Sequence, residues 1–95
     1  VIGHAQVRAL FKIRRIGMIA GCRVTDGEIR RNGRIKVLRA GEEVFDGEIG
    51  SLKHETEDVR EVRNGFECGI AAKGWTDFKE GDIIECYVRE LVAAI

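Results

Sequence analysis

The side chains that could carry chemistry in this chain are three cysteines and two histidines, all far apart in sequence. The cysteines are Cys22, Cys68 and Cys86, and the histidines are His4 and His54. Nucleophilic catalysis by a thiol needs a lowered pKa and a base within hydrogen-bond reach, and the sequence indicates neither for a Cys68–His54 pair. Because free cysteine is among the most buried residue types, we interpret the thiols as packed side chains.

Other catalytic and metal-binding motifs are absent from the sequence. Three cysteines without a Cys-x-x-Cys pair match neither a disulfide framework nor a zinc site. The sequence has no GxSxG, Walker, GxGxxG or HExxH motif, and its glycines fall between predicted strands rather than before a helix. We therefore expect a binding module in a reducing compartment, with no catalytic residues, no metal and no cofactor.

The charges are distributed unevenly along the chain. Residues 1–41 carry ten Lys or Arg and two Asp or Glu, a net charge of +8, whereas residues 42–95 carry six and fourteen, a net of −8. A basic half can attract nucleic acid or another acidic partner. Basic and acidic strands that neutralise each other across a sheet explain the same pattern, and on charge alone we favour this second interpretation.

Composition and periodicity predict one all-β domain spanning residues 1–95. Hydrophobic residues make up 44% of the chain, enough apolar surface to argue against disorder. The pattern repeats every two residues, which is typical of half-buried strands. The predicted strands are residues 5–13, 18–24, 34–39, 43–52, 58–62, 66–72 and 83–92. Seven short strands in 95 residues indicate a sandwich or a closed antiparallel barrel.

Turn residues and alternation place the side chains more finely. Predicted turns lie at residues 25–27, 31–33, 40–41, 64–65 and 80–82, and the strand at 43–52 is predicted to break near residues 46–47. Alternation puts Cys22 and Cys68 on the core face, together with Phe66, Phe11 and Ile13. The loop at residues 74–82 carries two large aromatics that are expected to tuck it onto the barrel.

Five segments together resemble a known family. Residues 18–27 read MIAGCRVTDG, residues 49–53 and 58–62 read IGSLK and DVREV, and residues 65–70 and 78–87 read GFECGI and FKEGDIIECY. In this order and spacing they closely resemble the carboxy-terminal β-barrel domain of bacterial translation initiation factor 2, over essentially the whole chain. The resemblance implies a small closed antiparallel β-barrel similar to domain 2 of elongation factor Tu.

The resemblance also implies a function. In this family the domain recognises the formylmethionyl-adenosine end of initiator tRNA. The parent factor is a GTPase whose GTP site lies in a separate domain, so this chain is expected to be neither an enzyme nor a cofactor-binding domain. We expect a cytoplasmic monomer without a membrane segment that reaches the ribosome through its parent factor. The positions that match the family's binding patch are Cys22, Lys53, His54, Glu67, Cys68 and Gly69.

The implied roles follow from residue type. Gly69 would let a ligand approach the backbone, Cys22 and Cys68 would offer soft apolar surface to a methionine thioether, and Lys53 would meet phosphate or ribose. The formyl group removes the charge of the α-amino group, and a desolvated charge would be costly in such a pocket. Lys53 and Glu67 are expected to point outward.

One segment departs from the family pattern and keeps an alternative open. The family continues after Lys53 with a basic-aromatic-basic stretch, whereas residues 54–56 read HET. We expect the RNA contacts of this loop to be weaker, or to be supplied by Arg14, Arg15 or Arg23. The alternative function is a protein-interaction barrel that docks on the ribosome or on another initiation factor, and an enzyme that depends on Cys68 is the third.

Overall fold

The structure is a computed structural model that describes residues 1–14, 17–55 and 57–88. In these residues the chain forms eight β-strands, β1 (Gly3–Ile13), β2 (Gly17–Arg30), β3 (Arg34–Arg39), β4 (Glu42–His54), β5 (Glu57–Asp58), β6 (Glu61–Arg63), β7 (Glu67–Ala72) and β8 (Ile83–Tyr87). The part of the predicted last strand beyond residue 88 lies outside the described residues. No helix in the described ranges is long and apolar enough to cross a membrane.

Six of the strands close into a barrel. The strand order is β1-β8-β3-β4-β7-β2, β2 pairs again with β1, and every pairing is antiparallel. The short strands β5 and β6 add to the ends of β4 and β2. Closure satisfies the backbone groups that an open sheet would leave unpaired at its edges. The predicted small closed antiparallel barrel is confirmed.

The barrel is filled by aliphatic side chains from every strand of the ring. The largest fully buried ones are Ile29, Ile35, Leu52, Ile70 and Ile84. All three cysteines are buried among them. The prediction that Cys22 and Cys68 lie on the core face is therefore confirmed.

Aromatic side chains and an ion pair fasten the loop between β7 and β8. Trp75 stacks on Phe45 with ring centroids 4.7 Å apart and meets the buried Phe78 edge-on at 4.8 Å. This confirms the prediction that Trp75 and Phe78 hold the loop against the barrel.

The ion pair joins Asp82, in the same loop, to β3. The Asp82 side chain is only 2% exposed and accepts hydrogen bonds from Nε and Nη2 of Arg39, each 2.9 Å long. Burial by itself would raise the pKa of Asp82, but the bonds from Arg39 and from the Lys79 backbone N–H outweigh it and hold that pKa below its usual value.

The first strand changes faces at a β-bulge. Arg8 is an extra residue in the pairing of β1 with β2. Before the bulge Val7 is buried in the core, and after it Leu10 packs against the core while Phe11 and Ile13 are 55% and 42% exposed. The prediction that Phe11 and Ile13 share the core face is wrong, because one additional residue reverses the alternation for the rest of the strand.

Three other local predictions also differ from the structure. Residues 25–27 do not turn but continue β2, with Thr25 as a bulged residue and Asp26 paired to His4. The strand at residues 43–52 is not broken, since residues 46 and 47 stay in register with β3. Phe66 is not in the core but 57% exposed, because it follows the turn at residues 64–65 and precedes the first residue of β7. In the first two cases pairing with a neighbouring strand outweighs local turn propensity.

The uneven charge is neutralised in part where basic β3 lies between acidic neighbours. Lys36 lies 3.6 Å from Glu43, Arg34 lies 3.8 Å from Glu48, and Arg39 pairs with the loop before β8. This supports the interpretation that basic and acidic segments compensate each other across the sheet. The exposed pairs of Lys36 and Arg34 contribute little stability individually.

Candidate binding groove

A groove of about 750 Å³ runs over β1, β2, β7 and the end of β4 on the outside of the barrel. Strand pairing brings its parts together, since Cys22 lies opposite Cys68, and Gly69 lies between Gly21 on one side and Lys53 on the other. The groove is lined by all six residues that the family resemblance assigns to a ligand, namely Cys22, Lys53, His54, Glu67, Cys68 and Gly69.

Two glycines form the floor of the groove. A Cβ atom at Gly21 would come within 2.7 Å of the Phe11 ring, and one at Gly69 would lie 3.0 Å from Cγ2 of Ile19. These positions face each other across β2 and β7, so a stretch of backbone carries no side chain there. Glycine in a strand interior is typical of sites where another group approaches the backbone closely.

The two thiols lie beneath this floor rather than on its open surface. Cys22 is 2% exposed and Cys68 is 5% exposed, and the Cys22 thiol donates to the Ala20 carbonyl at 3.3 Å. Burial raises the pKa of Cys68 to about 12, and burial together with the nearby Cys68 raises the pKa of Cys22 well above its ordinary value. Both thiols are therefore protonated at neutral pH, the opposite of what a nucleophile needs.

One wall of the groove is built by the end of β4 and the turn before β7. Nδ1 of His54 donates a hydrogen bond to the Glu67 carbonyl oxygen at 2.8 Å, and its ring meets Phe66 edge-on at 6.0 Å between centroids. This bond joins the imidazole to the backbone and not to the Cys68 thiol. The Glu67 side chain is exposed and Lys53 is half-buried at the rim.

The opposite wall comes from β1, and the sequence did not reveal it as part of a site. Phe11, Ile13 and Arg8 line the groove there, although simple alternation had placed the first two in the core. The signal that could have found them is the bulge at Arg8, which follows from pairing with β2 and leaves no mark in the sequence itself. The bulge therefore directs apolar side chains into the groove.

Basic side chains surround the apolar centre of the groove. Arg8, Arg23 and Lys53 line it, and none of the three forms an ion pair with another described residue. Glu55 and Glu67 are the acidic residues of the lining.

Of the arginines expected to replace the family's basic loop, Arg23 lies in the groove. Arg14 is exposed but does not line it. Arg15 lies outside the described residues, as does residue 56 of the altered loop.

The groove can hold a ligand that is partly apolar and partly anionic. Phe11 and Phe66 are 55% and 57% exposed, so each offers a ring face to an apolar group or a base. The cations at the rim suit phosphate or ribose oxygens. In the described part of the chain, no cluster of three or more His, Cys, Asp or Glu side chains could hold a metal ion.

The structure is a closed antiparallel barrel with an open groove on its outer surface and two protonated thiols beneath that groove. Residues 17–85 match the family model described as elongation factor Tu domain 2. The chain therefore belongs to the elongation factor Tu domain 2 family.

The relatives that this chain matches are initiation factors. The chain is 52% identical over 93 residues to translation initiation factor IF-2 of Geobacillus thermodenitrificans. The aligned residues make up 98% of this chain and 13% of that protein. The corresponding protein of Geobacillus stearothermophilus is 53% identical with the same coverage, and that of Magnetococcus marinus is 51% identical over 97% of this chain and 10% of its own length. The chain is thus homologous to a segment that spans about 13% of the length of the Geobacillus factors.

Proposed function

We propose that this chain is the part of a translation initiation factor that binds the formylmethionyl-adenosine acceptor end of initiator tRNA. The observation that carries the proposal is the convergence of all six motif residues on one groove of about 750 Å³. The longer factor would bind GTP in a separate domain and would bring the tRNA to the ribosome in the cytoplasm. On this proposal the segment lies towards the carboxy terminus of that factor and acts as a monomer.

The groove offers a separate partner to each part of this ligand. The methionine side chain would lie against the ring of Phe11 and the apolar surface beside it, and the formyl-amide would reach the backbone over Gly69. The adenine would stack on Phe66, because base stacking on an exposed aromatic ring tolerates a loosely shaped site. Lys53 and Arg23 would meet the terminal phosphates and ribose.

Discrimination for the formylated amine would come from charge. An unformylated α-amino group is an ammonium, and it would lie among the cations Arg8, Arg23 and Lys53 and over an apolar floor. Desolvating a charge without a partner is costly, and like charges at close range add to that cost. The carboxylates of Glu55 and Glu67 are exposed, so water screens their attraction for the amine.

Protein docking on the ribosome or on another initiation factor is the second candidate. The exposure of Phe11 and Phe66 favours it as well, since exposed aromatic side chains are common at the centres of protein interfaces. The two candidates differ in one respect, because only the tRNA proposal requires the groove to distinguish a formylated from a free amine.

Calorimetric titration with N-formylmethionyl-adenosine and with methionyl-adenosine tests the proposal. We expect the formylated ligand to bind at least about tenfold more tightly, a difference of about 1.4 kcal/mol in binding free energy. Burying an unpaired ammonium in this groove should cost at least that much.

Two lysine variants then locate the binding. Lys53→Gln should weaken binding of the formylated ligand about 3- to 10-fold, whereas Lys73→Gln, a change at an exposed lysine in the turn after β7, should leave it unchanged. Equal binding of the two ligands, or equal losses in the two variants, would leave the docking function as the better account.

A further inference from the structure

A second cleft lies at the other end of β2, away from the binding groove. It has a volume of about 420 Å³ and is lined by Arg30, Arg31, Asn32, Arg60 and Glu61. From Gly21 in the groove to Arg30 the strand runs nine residues, a path of up to about 30 Å. The two sites would therefore contact different parts of any large ligand.

Backbone and side-chain hydrogen bonds hold the shape of this cleft. Nη1 and Nη2 of Arg31 donate to the carbonyl oxygens of Ile49 and Gly50, each at 2.9 Å. The Arg31 backbone N–H donates to the Arg60 carbonyl at 2.7 Å, which ties the turn after β2 to the segment before β6. The arginine carrying the central charge is therefore fixed in place before any ligand arrives.

The guanidinium groups keep most of their donors available. Each arginine side chain has five N–H donors. Arg31 uses two of them in hydrogen bonds to carbonyl oxygens, and Arg30 uses one in a hydrogen bond to Glu28. The exposed Arg60 side chain makes no hydrogen bond or ion pair to the other described residues. With three arginines and one glutamate the lining has a net charge of +2.

The chemistry of the lining selects an anion with several oxygens. Guanidinium groups match phosphate bidentately, and the Asn32 amide can donate to the same oxygens. Among the residues that the structure describes, no aromatic or large apolar side chain lines the cleft, so the described lining offers no ring for stacking on a base and no pocket for an apolar peptide anchor. This is the composition of a contact to a phosphate backbone, which positions a nucleic acid without reading its sequence.

We propose that the cleft formed by Arg30, Arg31, Asn32 and Arg60 is a second RNA-contact site, which binds the phosphate backbone of a double-stranded RNA segment independently of its sequence and of any attached amino acid. RNA is the partner that the homology to an initiation factor favours, and the cleft suits the phosphates of a helix better than unpaired bases.

Fluorescence anisotropy of the 95-residue chain with a short labelled RNA duplex that carries no amino acid tests this proposal. Arg60→Gln is the decisive variant because the side chain is exposed and takes no part in the fold. We expect it to weaken binding about 3- to 10-fold and to reduce the slope of log K against log salt by about 1. Lys79→Gln on the loop before β8, a change at an exposed lysine outside both the cleft and the groove, should change binding less than about twofold.

Amide chemical shifts with the same duplex locate the contact. The proposal expects shifts at Arg31, Asn32 and Gly33. Shifts confined to the groove, or equal losses for Arg60→Gln and Lys79→Gln, would overturn it, since the duplex would then bind elsewhere or by general charge.

Two further probes test the class of partner. If inorganic phosphate binds as tightly as the duplex, the cleft is an ion site and not a backbone site. If a polyglutamate peptide competes at equal affinity, the partner is an acidic protein and the assignment to RNA is wrong. Because the duplex lacks formylmethionine, failure of this experiment leaves the function proposed for the groove untouched.

Discussion

Gly69→Val is expected to abolish ligand binding while the barrel stays folded. A Cβ at this position lies 3.0 Å from Cγ2 of Ile19, the end of a side chain that can rotate away. Overpacking lowers the free energy of unfolding by about 1–3 kcal/mol, whereas replacing glycine by a β-branched residue in a strand raises it by up to about 1 kcal/mol. The net loss of about 0–3 kcal/mol is smaller than the stability of about 5–15 kcal/mol that is usual for a domain.

The effect on binding should be far larger, because both valine methyl groups enter the floor of the groove. We expect the affinity for N-formylmethionyl-adenosine to fall at least about 100-fold, which corresponds to about 2.7 kcal/mol. Calorimetric titration measures this loss, and a thermal melt followed by circular dichroism measures the stability of the same sample.

Gly50→Val is the matched control for this change. Gly50 is exposed on β4 outside the groove, and a Cβ there would meet the Ala71 backbone carbonyl oxygen at 3.2 Å, so the substitution also crowds its surroundings, and against backbone rather than a side chain that can rotate. The control should bind the ligand normally. Native affinity in a folded Gly69→Val protein would refute the assignment of the groove, and an equal loss in the control would mean that the loss reflects the fold.

Three further predictions concern stability, reactivity and the β1 wall. Asp82→Asn should destabilise the barrel by about 2 kcal/mol, or roughly 8–16 °C in Tm, with Asp77→Asn as the exposed control. Because the folded-state pKa of Asp82 is lowered, melts at decreasing pH should show this difference begin to shrink as the pH falls below about 4, and vanish only once the pH lies below the folded-state pKa. At pH 8, with a pKa of about 12, only about one Cys68 thiol in 10⁴ is ionised, so Ellman's reagent should react at the rate of unfolding and not before. Phe11→Ala should weaken binding of the formylated ligand by about 10-fold. The Tm should change by less than about 5 °C, because the ring is 55% exposed. A Tm loss as large as that of a core truncation would contradict the exposure of Phe11 that the bulge produces.

The barrel itself was predictable from the sequence because its signals are local. Alternation with a period of two survives in β3, β7 and most of β2, and turn residues separate most of the strands. The core positions of Cys22 and Cys68 follow directly from that alternation. Alternation alone does not distinguish a sandwich from a barrel, because closure of the ring depends on long-range strand pairing.

The β1 wall of the candidate groove was not predictable, because it depends on an extra residue in one strand pairing. Arg8 looks like an ordinary outward residue, yet its bulge moves Phe11 and Ile13 from the core to the groove. The same physical reason makes residues 25–27 a strand, since pairing of Asp26 with His4 outweighs the turn propensity of Asp-Gly.

The six motif residues were placed by family resemblance, and their role as a binding site stays a prediction. Alternation of apolar residues predicts that Cys22 and Cys68 are core side chains, and both are buried in the structure. The structure places both cysteines along the groove, as the resemblance implies. Their thiols, however, are buried beneath its floor.

The central claim is that this groove binds the formylated amino acid end and distinguishes it from the free amine. A ¹⁵N chemical-shift titration with N-formylmethionine methyl ester, beside methionine methyl ester, tests it most directly. We predict shifts at Gly21, Lys53, Glu67 and Gly69 with the formylated ester and much smaller shifts with the free amine at the same concentration. Shifts elsewhere on the barrel, or the same shifts with both esters, would contradict the claim.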